Sequence, residues 1–170
     1  MKYGILSDTH IYSDTNKDKV ISSLEKIREA FEDVELIFHA GDVCDEFFLE
    51  KLAKIAPTKC VMGNMDNIQG LDSFLKISVG RYNIGLIHEP PRDLESFFDE
   101  HDLQILIHGH THRPLIKGTP YNTLILNPGS TTFPKAPKPK QGFAPPKAKP
   151  SVIIMEIDEN DLLKTFLVHL

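Results

Sequence analysis

The chain has 170 residues, 41% hydrophobic and 25% charged, with a formal net charge of −5. That length supports one sizeable domain burying roughly 70% of its unfolded surface. The negative balance argues against a basic face, so neither a membrane nor nucleic acid is expected as a stable partner.

No apolar run approaches the ~20 residues that span a bilayer. The opening "MKYGILSDTH" lacks a signal-peptide core. Two cysteines, Cys44 and Cys60, are too few for a disulfide scaffold. A cytoplasmic protein is expected.

In chain order, residues 3–7 ("YGILS") read as a short strand. Residues 17–31 carry Val20, Ile21, Leu24, Ile27 and Phe31 at helical spacing, with Asp14, Thr15 or Asn16 as the N-cap. A strand over 34–42, a helix over 45–55 with Phe48, Leu52 and Ile55 inward, and a strand over 58–64 follow. "SFLKISVG" and "YNIGLIHE" form a hairpin turning at Gly80-Arg81, before a short helix at 92–100 and a strand at 103–109. Further strands are expected at 121–130, 151–158 and 162–170. Early βα alternation with later hairpins predicts an α/β protein whose sheets are partly parallel and partly antiparallel.

The segment 133–150, "FPKAPKPKQGFAPPKAKP", is dominated by proline, lysine and alanine. Such a composition runs extended and solvated. It reads as a surface-loop insertion in a single domain spanning 1–170. A lid over an anionic substrate, or a contact in a homo-oligomer, are the alternative readings.

Residues 105–114, "ILIHGHTHRP", end a buried strand with three histidines in five positions. Crowded imidazoles make sense around a metal, which takes neutral ring nitrogen. Other predicted strands end in similar chemistry: Asp8 and His10 after the first, Asp42 after the second, Asn64 after the third, His88 after the fifth, His110 and His112 after the sixth. The carboxyl ends of strands in an α/β sheet form one rim where ligands bind. Each item is weak alone, but together they point to one site.

The series Asp8-x-His10, Gly41-Asp42-x-x-Asp45, Gly63-Asn64-x-Asp66, His88 and Gly109-His110-x-His112 resembles the calcineurin-like metallophosphoesterase superfamily. It is most similar to the small single-domain bacterial and archaeal phosphodiesterases, a branch that also includes a retromer subunit. The resemblance implies two mixed β-sheets in a sandwich flanked by helices, a four-layer αββα fold. It also implies two divalent metal ions roughly 3.5–4 Å apart. Carried over by motif, Asp8, His10 and His112 hold one ion, Asn64, His88 and His110 the other, and Asp42 bridges them. Nitrogen-rich ligation favours a transition metal, with Mn foremost and Ni, Fe, Co or Zn as alternatives. The implied reaction is in-line attack on a phosphate ester by a metal-bridging hydroxide, with Asp42, Asn64 and His10 nearest the chemistry. With only two carboxylates among the ligands, the site stays positive toward an anionic phosphate.

Around these, Asp45 and Asp66 read either as residues that orient a ligand or as turn and helix-terminus chemistry. His39 and His108 read as core histidines or supports for a ligand, and His101 and His169 as chemically idle. Cys44, beside Asp42, reads as a small buried residue or an adventitious soft ligand. "NPGS" at 127–130 resembles a loop that lies near the metals in this family.

Three positions depart from the family pattern. Met65 stands where many members carry a histidine that protonates the leaving group. That loss removes a contribution of typically 10²–10⁴-fold, unless His10 or a water substitutes. Glu89 in "HEPP" replaces a small residue. Ile11 replaces glycine and is expected to narrow the entrance.

The expected function is a binuclear metal-dependent phosphodiesterase acting on a small or exposed phosphate ester. A phosphomonoesterase, or a protein-interaction scaffold of the same fold, are the alternatives. A scaffold is free to lose ligands, and all seven are present.

Overall fold

The computed structural model describes residues 1–170 as ten strands and three α-helices. The strands are β1 (Lys2–Leu6), β2 (Leu36–His39), β3 (Thr58–Cys60), β4 (Phe74–Val79), β5 (Tyr82–Ile87), β6 (Ile105–Ile107), β7 (Leu115–Gly118), β8 (Leu124–Asn127), β9 (Ser151–Ile157) and β10 (Leu163–His169). The helices are α1 (Lys17–Ala30), α2 (Glu46–Leu52) and α3 (Leu94–His101).

Two five-stranded sheets form, in the orders β10-β9-β1-β2-β3 and β4-β5-β6-β8-β7. Each mixes directions. In the first, β1 runs parallel to β2 and β2 to β3, while β9 and β10 are antiparallel additions. In the second, β5, β6 and β8 are parallel, with β4 and β7 antiparallel at the edges.

Strand periodicity explains the layering. Successive residues face opposite sides of a sheet. Tyr3, Ile5, Phe38 and Met155 from the first sheet therefore meet Ile84, Leu86, Ile105, Ile107 and Leu126 from the second in a buried inter-sheet core. The intervening Leu6, Ile37, Val152 and Ile154 face outward onto Val20, Ile27 and Phe31 of the α1 region and onto Phe48 and Leu52 of α2. On the far side, Phe98 of α3 packs with Leu103, Leu106 and Ile125. The order is helix, sheet, sheet, helix, as the family resemblance implies.

The caps are local chemistry. Asn16 accepts from the Asp18 and Lys19 N–H groups to start α1, and Asp93 accepts from Ser96 N–H to start α3. Asp45 accepts from Phe47 N–H and starts α2. Of its two readings, helix-terminus chemistry is the one this contact fits.

Several expected boundaries contract. The strands expected over 34–42, 58–64, 103–109 and 121–130 are four, three, three and four residues long. Beyond each, the chain leaves the ladder to build loops. Ile21 is 53% exposed and does not join the helix's inward face. β7 was not expected: all four residues are exposed on an edge, directly after Pro114, and carry no periodic burial signal. Ile11 is buried in the core beneath α1 and α2, so it does not narrow any entrance.

Candidate metal centre

The carboxyl ends of β1, β2, β3, β5 and β6 converge at one pole. Asp8 and His10 follow β1, Asp42 follows β2, Asn64 follows β3, His88 follows β5, and His110 and His112 follow β6. All seven predicted side chains are brought together there.

On one side, His112 Nε2 lies 3.3 Å from Asp8 Oδ1 and 3.3 Å from His10 Nε2. On the other, Asn64 Oδ1 lies 3.0 Å from His88 Nε2 and 3.0 Å from His110 Nδ1. Between them, Asp42 Oδ2 is 3.6 Å from His10 Nε2 and 3.4 Å from His88 Nε2. Asp8, His10 and His112 have spacing that could hold one ion, and Asp8, Asp42 and His88 form a second such group. Asp8 therefore lies close to both halves of the cluster rather than to one alone.

The donor set fits divalent transition ions. Imidazole nitrogens, carboxylates and a carboxamide oxygen present lone pairs to common points, an arrangement that is repulsive unless a proton or a cation is shared. Asp8 is fully buried and Asp42 and His88 nearly so, so bulk water offers them little relief.

Electrostatics fit the same picture. Burial raises the Asp8 carboxyl against hydrogen bonding from Ser7 Oγ. Burial would also raise Asp42, but hydrogen bonds from His88 and the Met65 N–H prevail and hold it below the usual carboxylate range. Burial alone would lower His88, yet its bonds to Asp42 and the Ala40 carbonyl raise it. His10 is lowered, chiefly by burial.

The outward nitrogens are held as a metal site needs. His88 Nδ1 donates to the Ala40 carbonyl at 2.8 Å, and His112 Nδ1 donates to the Phe133 carbonyl at 2.8 Å. Each bond leaves Nε2 free to face the centre. His10 Nδ1 meets Cys44 Sγ at 3.5 Å. Burial pushes that thiol up to about 11, so in the metal-free protein it faces His10 as a neutral thiol.

The backbone is bent to the task. Asp8, His10, Asp42, His110 and His112 all have positive φ, as does Cys44. Left-handed non-glycine residues cost of order 1–3 kcal/mol each and persist where surrounding structure fixes them. Asp66 provides much of that fixing: its carboxylate accepts from the N–H groups of Asp42 (2.9 Å), Cys44 (2.7 Å) and Gly63 (2.8 Å). His39 is fully buried, with Nε2 3.1 Å from Thr9 Oγ1 between two of the predicted ligands.

Other supports come from the end of β8 and the loop after it. Ser130 Oγ donates to the Asp8 carbonyl at 2.6 Å, and Thr132 Oγ1 to the Thr9 carbonyl at 2.8 Å. Asn127 Nδ2 bridges the Gly109 carbonyl and Thr111 Oγ1. The "NPGS" motif pointed to this loop, whereas Ser7 and Thr132 had no distinguishing pattern. The start of the Pro/Lys segment is part of the site: besides Phe133, Lys135 N–H donates to the His112 carbonyl and Arg113 Nε to the Ala136 carbonyl. Glu89 is exposed.

A family model described as the calcineurin-like phosphoesterase superfamily domain matches residues 1–160. The chain belongs to that superfamily. A probable metallophosphoesterase of Methanothermobacter thermautotrophicus is 35% identical over 170 residues, covering 95% of this chain and 89% of the relative. Among solved structures, zinc-complexed Vps29 from Entamoeba histolytica superposes with a TM-score of 0.69, at 23% identity and 99% coverage of both chains. A novel archaeal phosphodiesterase does so at 0.68, with 21% identity, 99% of this chain and 100% of the other. These likenesses establish the two-sheet phosphoesterase fold. The converging donors of this superfamily member lie at the pole where its two sheets' parallel strands end.

Proposed function

We propose that the chain is a divalent-metal-dependent phosphodiesterase. The observation that carries this reading is the convergence of seven oxygen and nitrogen donors from five strand ends within 3.0–3.6 Å contacts. The zinc in the Vps29 relative and the activity named for the archaeal phosphodiesterase support it.

Asp8, His10 and His112 would hold one ion, Asn64, His88 and His110 the second, with Asp42 shared. Bound there, the ions supply Lewis acidity toward phosphoryl oxygens and a water of lowered pKa. The chain's own residues do the rest. Only two of its seven donors carry negative charge, so two dications leave the pocket attractive to a phosphate anion. The Ala40 and Phe133 carbonyls fix the tautomers of His88 and His112. No histidine follows Asn64; Met65 occupies that position. Esters whose leaving group departs without protonation are therefore the better substrates.

A diester is favoured over a monoester because no lysine or arginine pairs with the donor cluster, and Arg113 Nε is engaged by the Ala136 carbonyl. The Vps29 likeness, over nearly the whole of both chains, favours a scaffold as the second reading.

One experiment separates these. Metal-stripped protein is reloaded with Mn²⁺, Ni²⁺, Co²⁺ or Zn²⁺ and given bis(p-nitrophenyl) phosphate or p-nitrophenyl phosphate, alongside Asp42→Ala. Metal-dependent hydrolysis favouring the diester, and abolished by Asp42→Ala, is expected. Hydrolysis of neither ester with any ion would transfer the weight to the scaffold; full turnover in Asp42→Ala would refute the shared-ligand role.

A further inference from the structure

The rim of the centre carries an exposed aromatic ring on a backbone held by hydrogen bonds on both sides. Phe133 is 59% exposed. Its N–H donates to Ser130 Oγ at 2.9 Å and its carbonyl accepts from His112 Nδ1 at 2.8 Å. Ser130 is itself anchored on the Asp8 carbonyl. The Phe133 ring packs beside His10 with centroids 5.7 Å apart and planes at 78°. A phenyl ring kept in water forgoes roughly 25 cal/mol per Å² of burial, yet this one is fixed beside the donor cluster.

The neighbouring rim is also apolar. Met65, 53% exposed, is pinned through its N–H to Asp42 Oδ1 at 2.8 Å. Tyr12, two residues after His10, is 39% exposed. Arg113, the guanidinium next in sequence to the last ligand, is turned onto the Ala136 carbonyl. Exposed hydrocarbon therefore also adjoins Asn64 and His10 in the chain.

We propose that Phe133 is the platform on which an aromatic substituent of a small, monoanionic phosphodiester stacks. This rests on the phosphodiesterase reading and narrows it to diesters with at least one flat, apolar ester group. The fit is physical: aromatic pairs prefer offset or edge-on contacts with centroids 4.5–7 Å apart, and a platform with a fixed backbone gives up little freedom on binding. Phe133 acts on selectivity; the bonds that hold His112 and Ser130 belong to its backbone and survive truncation of the ring.

The test uses Mn²⁺-loaded full-length protein and two diesters that share p-nitrophenolate as leaving group. Their other ester is phenyl in one and methyl in the other. In Phe133→Ala, the phenyl-to-methyl ratio of kcat/KM is expected to fall about fivefold, mostly through KM, while Phe133→Tyr keeps the wild-type ratio. An unchanged ratio in Phe133→Ala, including an equal loss on both esters, overturns the proposal.

A second readout does not need turnover. The chain has no tryptophan, so Phe133→Trp places a single indole at the rim. Titration with phenyl methylphosphonate should quench it at about fivefold lower concentration than methyl methylphosphonate; equal responses overturn the platform. If no diester is hydrolysed but phenyl methylphosphonate still quenches selectively, the phosphodiesterase reading fails and the aromatic site stands. If diesters are hydrolysed without selectivity at Phe133, the reverse holds.

Discussion

Cys44 is the least conventional contact in the centre. The other two histidines whose Nε2 faces inward rest their Nδ1 on backbone carbonyls, whereas His10 rests on a thiol at 3.5 Å. A sulfur acceptor is weaker than a carbonyl but still fixes the tautomer. Cys44→Ala should lower metal affinity about tenfold, and Cys44→Ser should restore most of it, because groups behind a ligand typically contribute 10–100-fold. Calorimetric titration of metal into the stripped variants measures this; equal affinity in wild type and Cys44→Ala would show the thiol to be idle. At this scale the sequence was informative where chemistry is unusual. His and Asp after strand ends stood out, and Asn64 was found through its motif. Ser130 was reached only through the resemblance of its "NPGS" motif and Thr132 not at all, since a hydroxyl reaching a carbonyl over 120 positions away leaves no local pattern. Asp45 resembled a site residue only because a helix cap and a ligand neighbour prefer the same side chain.

The elements that matter most are the loops after the strands. Asp8 and His10, Asp42 and Cys44, and His110 and His112 each take left-handed backbone two residues apart, turning alternate side chains toward the pole. Glycine permits the close approach of these loops: a Cβ on Gly109 would overlap Ser7 Oγ and crowd the Asp8 carboxylate. Gly109→Ala should therefore lose metal affinity by an order of magnitude or more while the chain still folds. Metal titration beside far-ultraviolet circular dichroism checks this; unaltered affinity would mean the loops yield freely. Helices and long strands were legible because burial repeats along them. The ends of β2 and β6 were overextended because burial continues past the last ladder residue into the site loops. β7 has no buried face and so no period to read.

For the molecule as a whole, two buried neutral histidines set the acid limit. Burial lowers His39 to about 3 and His108 to about 4, from an ordinary 6.5. Between pH 6.5 and those values the unfolded chain binds protons that the folded chain refuses. Stability therefore falls as pH drops, by about 1.4 kcal/mol per pH unit for each group. Urea unfolding of metal-free protein at pH 7 and pH 5 should show this loss, and His39→Gln should lessen it; an identical pH dependence would mean that His39 protonates in the fold. The Pro/Lys segment divides likewise. Residues 133–136 tie down His112 and Arg113, whereas most of 137–149 is exposed. Replacing 138–148 by a short Gly/Ser linker should leave metal affinity unchanged, and a large loss would assign the distal loop to the site. An α/β protein with mixed sheets was legible from the alternation, and the αββα layering only through the family resemblance; the docking of 133–136 was not, since proline-rich sequence signals only an extended chain.

The most direct measurement counts ions. Stripped protein is equilibrated with excess Mn²⁺, freed of unbound metal and assayed for metal per chain, beside Asp42→Ala and Asn64→Ala. The geometry predicts two ions in the wild type and fewer in both variants. No bound metal in the wild type, or the same content in all three proteins, would contradict it.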